Sequence, residues 1–285
     1  MKYRELYQQG IEKLSVANIE EAKIDARLLL EYVCKTDRNA LFLKGDAEVS
    51  GEDEKAYLEM ISKRMAHVPV QQLTGEQEFM GLTFRVNEHV LIPRQDTECL
   101  VEIVLKNLHD GMRILDMCTG SGCILLSLMH YSNDCIGVGA DLSEEALKVA
   151  THNAKTLSTS GSFNEADVSF VHSDLFEKVD GKFDIIVSNP PYIKTEVIST
   201  LMPEVKDFEP RMALDGTEDG LEFYRRIIAD AKKHLNRGGQ MFFEIGYDQG
   251  EDVRNLMSDN GYEDVVVAKD LAGLDRVVYG TFLEE

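Results

Sequence analysis

Arg113-Ile-Leu-Asp-Met-Cys-Thr-Gly-Ser-Gly-Cys-Ile-Leu-Leu-Ser-Leu-Met129 is the stretch on which the fold turns. Arg113 to Met117 is an apolar run of strand length, Asp116 to Gly122 is a glycine-rich turn, and Ile124 to Met129 is apolar enough for a helix lying on a sheet. A strand-to-helix turn of this kind lets the backbone approach a ligand closely and aims free N–H groups at it. Taken alone it would serve dinucleotides, nucleotides and adenosyl cofactors equally, and a tight turn without any ligand would read the same.

Downstream, further strand candidates alternate with helices: Cys135 to Asp141, Val168 to His172, Phe183 to Ser188, Gln240 to Ile245, Asp264 to Ala268 and Arg276 to Phe282. Seven strands with intervening helices predict an α/β fold, a doubly wound, Rossmann-like sheet. Only Lys269 to Asp275 separates the last two strands, too little for a parallel crossover, so they should pair antiparallel. Upstream lies a helix, Cys99 to Leu108. Before it, Phe79, Leu82, Phe84, Val86 and Val90, broken by Gly81 and by Asn87-Glu88, read as a hairpin. The first 75 residues or so read as short amphipathic helices, with Ala26, Leu29, Leu30 and Val33 on one stripe and Leu58, Ile61 and Met65 on another. The acidic run Gly51 to Lys55 is expected to be a helix start, where a dipole stabilises carboxylates. The organisation expected is a smaller helical domain over residues 1–75, a β-hairpin linker over 76–93 and a sheet domain over 94–285.

Two more strand ends sharpen the reading of the turn. Asp141 closes the second strand, where a carboxylate can accept both hydroxyls of a ribose. Ser143 then caps the next helix, with Glu144 and Glu145 in its first turn. Asp174 and Leu175 follow the third strand, where an adenine ring would find an acceptor for its amino group and an apolar surface, although Asp174 by itself would read as an ordinary loop acid. After the fourth strand comes Ser188-Asn189-Pro190-Pro191-Tyr192. Two prolines stiffen this turn and remove backbone donors. An NH2 on a planar carbon is a poor nucleophile. Its two N–H bonds, directed at the Asn189 side-chain oxygen and the Pro190 carbonyl, would aim the nitrogen at a waiting methyl group, and Tyr192 could stack on the planar substrate. Such a site works by orientation and dipoles, since neutral asparagine takes up no proton at pH 7.

Composition narrows the class. With 51 acidic against 30 basic side chains, the net charge of −21 repels phosphate backbones, which disfavours nucleic acid as a partner. The apolar stretches fall short of the roughly 18 residues that cross a bilayer. Lys2, Arg4, Glu5 and Glu12 interrupt the N-terminus, which reads as neither signal nor transit peptide. The five cysteines, Cys34, Cys99, Cys118, Cys123 and Cys135, form no CxxC pair, and the seven histidines show no ligand spacing. A reduced cytoplasm and no metal are expected. Arg94 reads as the partner of an acid at the domain junction, with contact to substrate as the alternative, Glu244 as a capping or ion-pairing residue with a cleft-facing role open, and the methionines as packing.

Taken together these motifs resemble the PrmC/HemK family of glutamine-N5 methyltransferases, which modify the Gly-Gly-Gln motif of peptide chain release factors. The resemblance covers nearly the whole chain. It rests on Ala26-Arg-Leu-Leu-Leu30, Pro69-Val-Gln-Gln-Leu-Thr-Gly75, Glu78-Phe-Met-Gly-Leu-Thr-Phe84, Val90-Leu-Ile-Pro-Arg94, Asp96-Thr-Glu98, the Asp116 to Gly122 turn, Asn189 to Tyr192, Phe208-Glu-Pro210 and Ala213-Leu-Asp-Gly216. It implies S-adenosylmethionine as cofactor, held by Asp116, Cys118, Thr119, Gly120, Ser121, Gly122, Asp141, Asp174, Leu175 and Asn189. By the same resemblance Asn189, Pro190, Pro191 and Tyr192 hold the substrate glutamine, Asn189, Pro190 and Tyr192 carry the chemistry, and the N-terminal domain grips the release factor. Cys118 stands where the family usually has glycine, Gln95 where proline is common and Gln72 where tyrosine is frequent. Two rival readings stay open here. A methyltransferase acting on the exocyclic amine of a nucleic-acid base would share the turn and the Asn-Pro-Pro-Tyr motif, and Cys118 motivates a catalytically silent scaffold.

Overall fold

A computed structural model describes residues 1–283. The chain packs as two compact units. The first comprises Met1–Glu76 and the segment Met202–Phe208. It contains α1 (Tyr3–Val16), α2 (Ala22–Cys34), α3 (Arg38–Leu43), α4 (Gly51–Met65) and α5 (Val70–Thr74). Ala26, Leu29 and Leu30 of α2 are buried, as their spacing predicts. On α4 the buried face is Tyr57, Ile61 and Arg64, while Leu58 and Met65 pack only partly against it. Tyr57 sits inside because its hydroxyl donates to the Ala26 carbonyl at 3.1 Å. Arg64 is buried between two acids, 2.7 Å from Asp25 and 2.9 Å from Glu204. Burial raises the Asp25 pKa, opposed by Arg64. Ser50 caps α4 by accepting from the Asp53 amide, and Glu52, Asp53 and Glu54 occupy the first turn, where the helix dipole favours them.

The second unit comprises Gln77–Leu201 and the chain from Glu209 onward. β1 (Glu76–Phe79) and β2 (Leu82–Arg85) form a hairpin. Its turn, Met80-Gly81, has both residues at positive φ, the mirror-image geometry that matches strand twist. Phe79 and Phe84 are buried in one core with Leu100, Val101 and Ile124, so the hairpin expected as a linker packs inside this unit. Next come α6 (Gln95–Asn107), β3 (Arg113–Met117), α7 (Cys123–His130), β4 (Ile136–Asp141), α8 (Glu144–Thr159), β5 (Val168–His172) and β6 (Phe183–Ser188). The rest is α9 (Thr195–Ile198), α10 (Pro203–Lys206, in the first unit), α11 (Glu222–Ala231), β7 (Leu235–Glu244), α12 (Gly250–Asp259), β8 (Tyr262–Lys269) and β9 (Asp275–Phe282). The two largest differences from expectation lie at element starts. The helix α6 starts at Gln95, with Asp96 and Glu98 in its first turn. The strand β7 starts at Leu235, its register against β6 shifting between Phe183 and Ile185.

Among the described residues the main sheet has seven strands in the order β5-β4-β3-β6-β7-β9-β8. The pairs from β5 to β7 are parallel, and β9 runs antiparallel to both β7 and β8. Alternation along the strands fills both faces. Leu115, Met117, Ile186, Met241, Phe243 and Val278 pack with Tyr224 and Ile227 of α11 and Val253 of α12. Their neighbours Ile114, Ile185, Val187, Phe242 and Val277 pack with α6 and α7 on the other side. Each such side chain contributes about 1.5–3 kcal/mol by leaving water. Because β4 lies on one side of β3 and β6 on the other, the order reverses at β3, and the crevice outside the carboxyl ends of β3 and β6 is where such sheets bind ligands.

Candidate active site

The turn after β3 is braced from below. Asp116 is fully buried; its Oδ2 accepts from the Thr119 hydroxyl at 2.6 Å and from the Leu125 amide at 3.3 Å. Burial raises its pKa to about 7, against the pull of those two donors. Cys118 and Gly120 both stand at positive φ, 64° and 54°. For Cys118 this left-handed geometry costs about 1–2 kcal/mol that glycine would not incur. A Cβ at Gly120 would meet open space, whereas one at Gly122 would lie 3.1 Å from Leu126 and 3.3 Å from Ala150. Gly120 thus keeps the ligand side of the turn open, and Gly122 lets α7 approach α8.

Asp141, at the end of β4, fastens the turn from the side. Its Oδ2 accepts from the Gly120 amide at 2.9 Å and its Oδ1 from the Ser143 amide at 2.8 Å. Burial raises its pKa, opposed by the backbone donors. Ser143 caps α8 by accepting from the Ala146 amide. After β5, Asp174 accepts from Arg226 at 2.7 Å through Oδ1, and Leu175 takes positive φ beside it.

These elements enclose a cavity of about 340 Å³, within the range of a small-molecule site. Cys118, Thr119, Gly120, Ser121, Asp141, Asp174, Leu175, Asn189 and Pro191 line it. Asp116, Gly122, Pro190 and Tyr192 do not. Asp116 supports the turn from beneath and Gly122 is filled against α7 and α8. Pro190 is buried, and the Tyr192 ring packs partly on the sheet core, its hydroxyl directed at Glu244 Oε1 at 3.5 Å. The opposite wall includes Val90, Pro93, Arg94, Thr97, Met212 and Phe223. Arg94 Nη2 donates to both carboxylate oxygens of the buried Glu209 at 2.7 Å, tying the segment before α6 to the one after Phe208. Burial raises the Glu209 pKa, opposed by Arg94.

Behind Asn189 lies a group whose site role the sequence reading left open. Glu244, at the end of β7, is buried. Its pKa is raised by burial to about 7, opposed by the nearby side chains of Thr97, Arg276 and Asn189. Its Oε2 has no hydrogen-bond partner of ordinary length. Asn189 Nδ2 points to Thr97 Oγ1 at 3.5 Å, so one N–H of the carboxamide is directed at α6. Thr97 entered the sequence reading only within Asp96-Thr-Glu98, with no role of its own, because nothing in that short segment shows that it meets Asn189. For Glu244 the available signal was its place at the carboxyl end of a strand.

The residues present fit an adenosyl methyl donor: an open glycine turn, a carboxylate on the neighbouring strand end, an apolar Leu175, and the Ser121 hydroxyl, buried at the cavity wall without a partner. Comparison with known proteins agrees. The family model described as the PrmC N-terminal domain matches residues 5–75, and the methyltransferase small domain matches residues 95–204. The release factor glutamine methyltransferase of Clostridium acetobutylicum is 41% identical over 283 residues, 98% of either chain. That of Geobacter sulfurreducens is 39% identical over 268 residues, 94% of this chain and 92% of its own. A methyltransferase from Pyrococcus furiosus shares the fold, with a TM-score of 0.54 at 18% identity, over 78% of this chain and 100% of that one. Relatives this similar, aligned along almost all of the sequence, place the chain in the release factor glutamine methyltransferase family.

Proposed function

We propose that this protein transfers a methyl group from S-adenosylmethionine to N5, the side-chain amide nitrogen, of the glutamine in the Gly-Gly-Gln motif of peptide chain release factors. The observation that carries this reading is Asn189, in the wall of the same cavity as the Gly120 turn and Asp141, with its NH2 turned toward Thr97. Bound there, S-adenosylmethionine supplies an electrophilic methyl group. Everything else falls to the chain. The turn from Cys118 to Ser121 offers the unpartnered Ser121 hydroxyl, its Thr119 and Gly120 amides being held by Ala140 and Asp141, while Asp141 offers its remaining lone pairs to ribose hydroxyls, and Leu175 offers an apolar face to adenine. Asn189 Oδ1 accepts an N–H bond of the substrate amide, which orients a weak nucleophile without a strong base; the Pro190 carbonyl, expected to accept the second, belongs to a residue outside the cavity lining. On transfer the nitrogen would gain a bond to the methyl carbon, the methyl–sulfur bond of the donor would break to leave a neutral thioether, and one N–H proton would pass to water.

We assign residues 1–75 to release factor recognition and the unit from residue 94 onward, closed by the hairpin segment before it, to catalysis. Five free cysteines fit a reducing compartment such as the cytoplasm. Among the described residues no helix is long and apolar enough to cross a membrane, and no cluster of three or more His, Cys, Asp or Glu side chains could hold a metal ion. Incubating the purified protein with methyl-labelled cofactor and, in parallel, a release factor, RNA or DNA tests the proposal. Label is expected in the release factor; label in nucleic acid alone would favour base methylation, and none anywhere a silent scaffold.

A further inference from the structure

Asparagine presents an oxygen or an NH2 depending on a half-turn of its carboxamide, and only the oxygen is useful to a substrate N–H. Something must choose between them. Asn189 Nδ2 meets Thr97 Oγ1, itself in the cavity wall, at 3.5 Å, and close to both lies the buried Glu244, a carboxylate that only accepts hydrogen bonds when ionised. Tyr192 Oη donates to the same carboxylate at 3.5 Å. Resting on the function proposed above, we propose that Glu244 is a positioning residue for methyl transfer: its carboxylate collects the inward donors of Thr97, Asn189 and Tyr192, and so holds Asn189 Oδ1 toward the substrate amide. Glu244 does not line the cavity.

The charge of Glu244 is set by its neighbours on every packed element: Asp96 and Thr97 from α6, Asn189 and Tyr192 after β6, Arg276 from β9, Tyr224 from α11 and Cys123 from α7. Arg276, the positive neighbour, is itself paired with Asp96 at 3.2 Å and Asp270 at 3.1 Å. The Tyr224 hydroxyl is spent on the Glu244 backbone carbonyl at 2.9 Å, so it does not compete for the carboxylate. Protonation would add an O–H donor to the cluster, leaving Asn189 with no fixed direction.

The test uses the full-length protein labelled with side-chain 15N-asparagine, without cofactor or substrate. The NH2 resonances of Asn189, identified by their loss in Asn189→Ala, are expected to move with pH with a midpoint near 7 in the wild type and to stay fixed in Glu244→Gln. In parallel, kcat for a release factor is expected to fall roughly ten- to a hundredfold in Glu244→Gln. KM and the calorimetric affinity for S-adenosylmethionine should change less than about threefold, an expectation for a group that only aims another. Thr97→Val, which keeps the shape and loses the donor, should give a smaller loss of the same kind. If Glu244→Gln folds poorly, Thr97→Val and the wild-type titration carry the test. An Asn189 resonance indifferent to pH, a wild-type kcat in Glu244→Gln, or a parallel loss of cofactor affinity would each overturn the proposal. A wild-type protein that methylates no release factor would instead refute the function, with the resonance titration still readable.

Discussion

At Asn189 two demands meet in one side chain: its NH2 must be bound inside the protein and its oxygen kept for the substrate. Removing it should therefore separate chemistry from cofactor binding. Asn189→Ala is expected to lower kcat at least about a hundredfold, while calorimetry shows S-adenosylmethionine affinity within a few-fold of wild type. Cys118 offers a second test, since its positive φ favours glycine. Cys118→Gly is expected to stabilise the fold by about 1 kcal/mol in urea denaturation; a loss of stability would show that packing of the thiol outweighs its backbone strain. Glu244 yields a pH dependence with a definite sign. Its folded pKa of about 7 lies above its ordinary 4.5, so between those values the folded state holds a proton that the unfolded state has released. That contribution to stability is fully present below 4.5 and is lost as pH rises through about 7. The melting temperature of Glu244→Gln relative to wild type should accordingly rise across that window. Asn189, Asp141 and the Gly120 turn were legible in the sequence because each is a local pattern at a strand end. Thr97 and Glu244 gave weak signals or none because their meaning comes from α6 and β7 meeting behind Asn189, a proximity that no short segment encodes.

At the scale of elements, the alternating strands and helices were legible because buried parallel strands read as apolar runs, and the short last connection required an antiparallel pair. The start of β7 was missed because its first half, carrying Gly238 at positive φ and a register shift against β6, breaks the apolar run. The hairpin of β1 and β2 was recognised by its pattern, but its packing was not. Alternation shows that one face is buried and leaves open against what. With Phe79 fully buried beside Leu100 and Ile124, the hairpin is core of the sheet unit. Phe79→Ala should then cost about 3–5 kcal/mol in chemical denaturation, whereas a side chain in a loose linker would cost less than about 0.5 kcal/mol.

Over the whole molecule, the charge of −21 sets what can approach. Phosphate backbones meet a repulsive field at long range, so excess RNA or DNA at physiological salt should leave the rate of release factor methylation unchanged. Inhibition that weakens steeply with added salt would point to a nucleic-acid site. Composition could indicate this preference, but the substrate itself became readable only when the N-terminal helices, the glycine turn and Asn-Pro-Pro-Tyr were taken as one constellation. The most direct measurement is tandem mass spectrometry of the release factor's Gly-Gly-Gln peptide after incubation with S-adenosylmethionine and either wild type or Asn189→Ala. One added methyl group on the glutamine side chain is expected with wild type and none with the variant; a methyl on another residue, or an equal yield from Asn189→Ala, would contradict the role given to that asparagine.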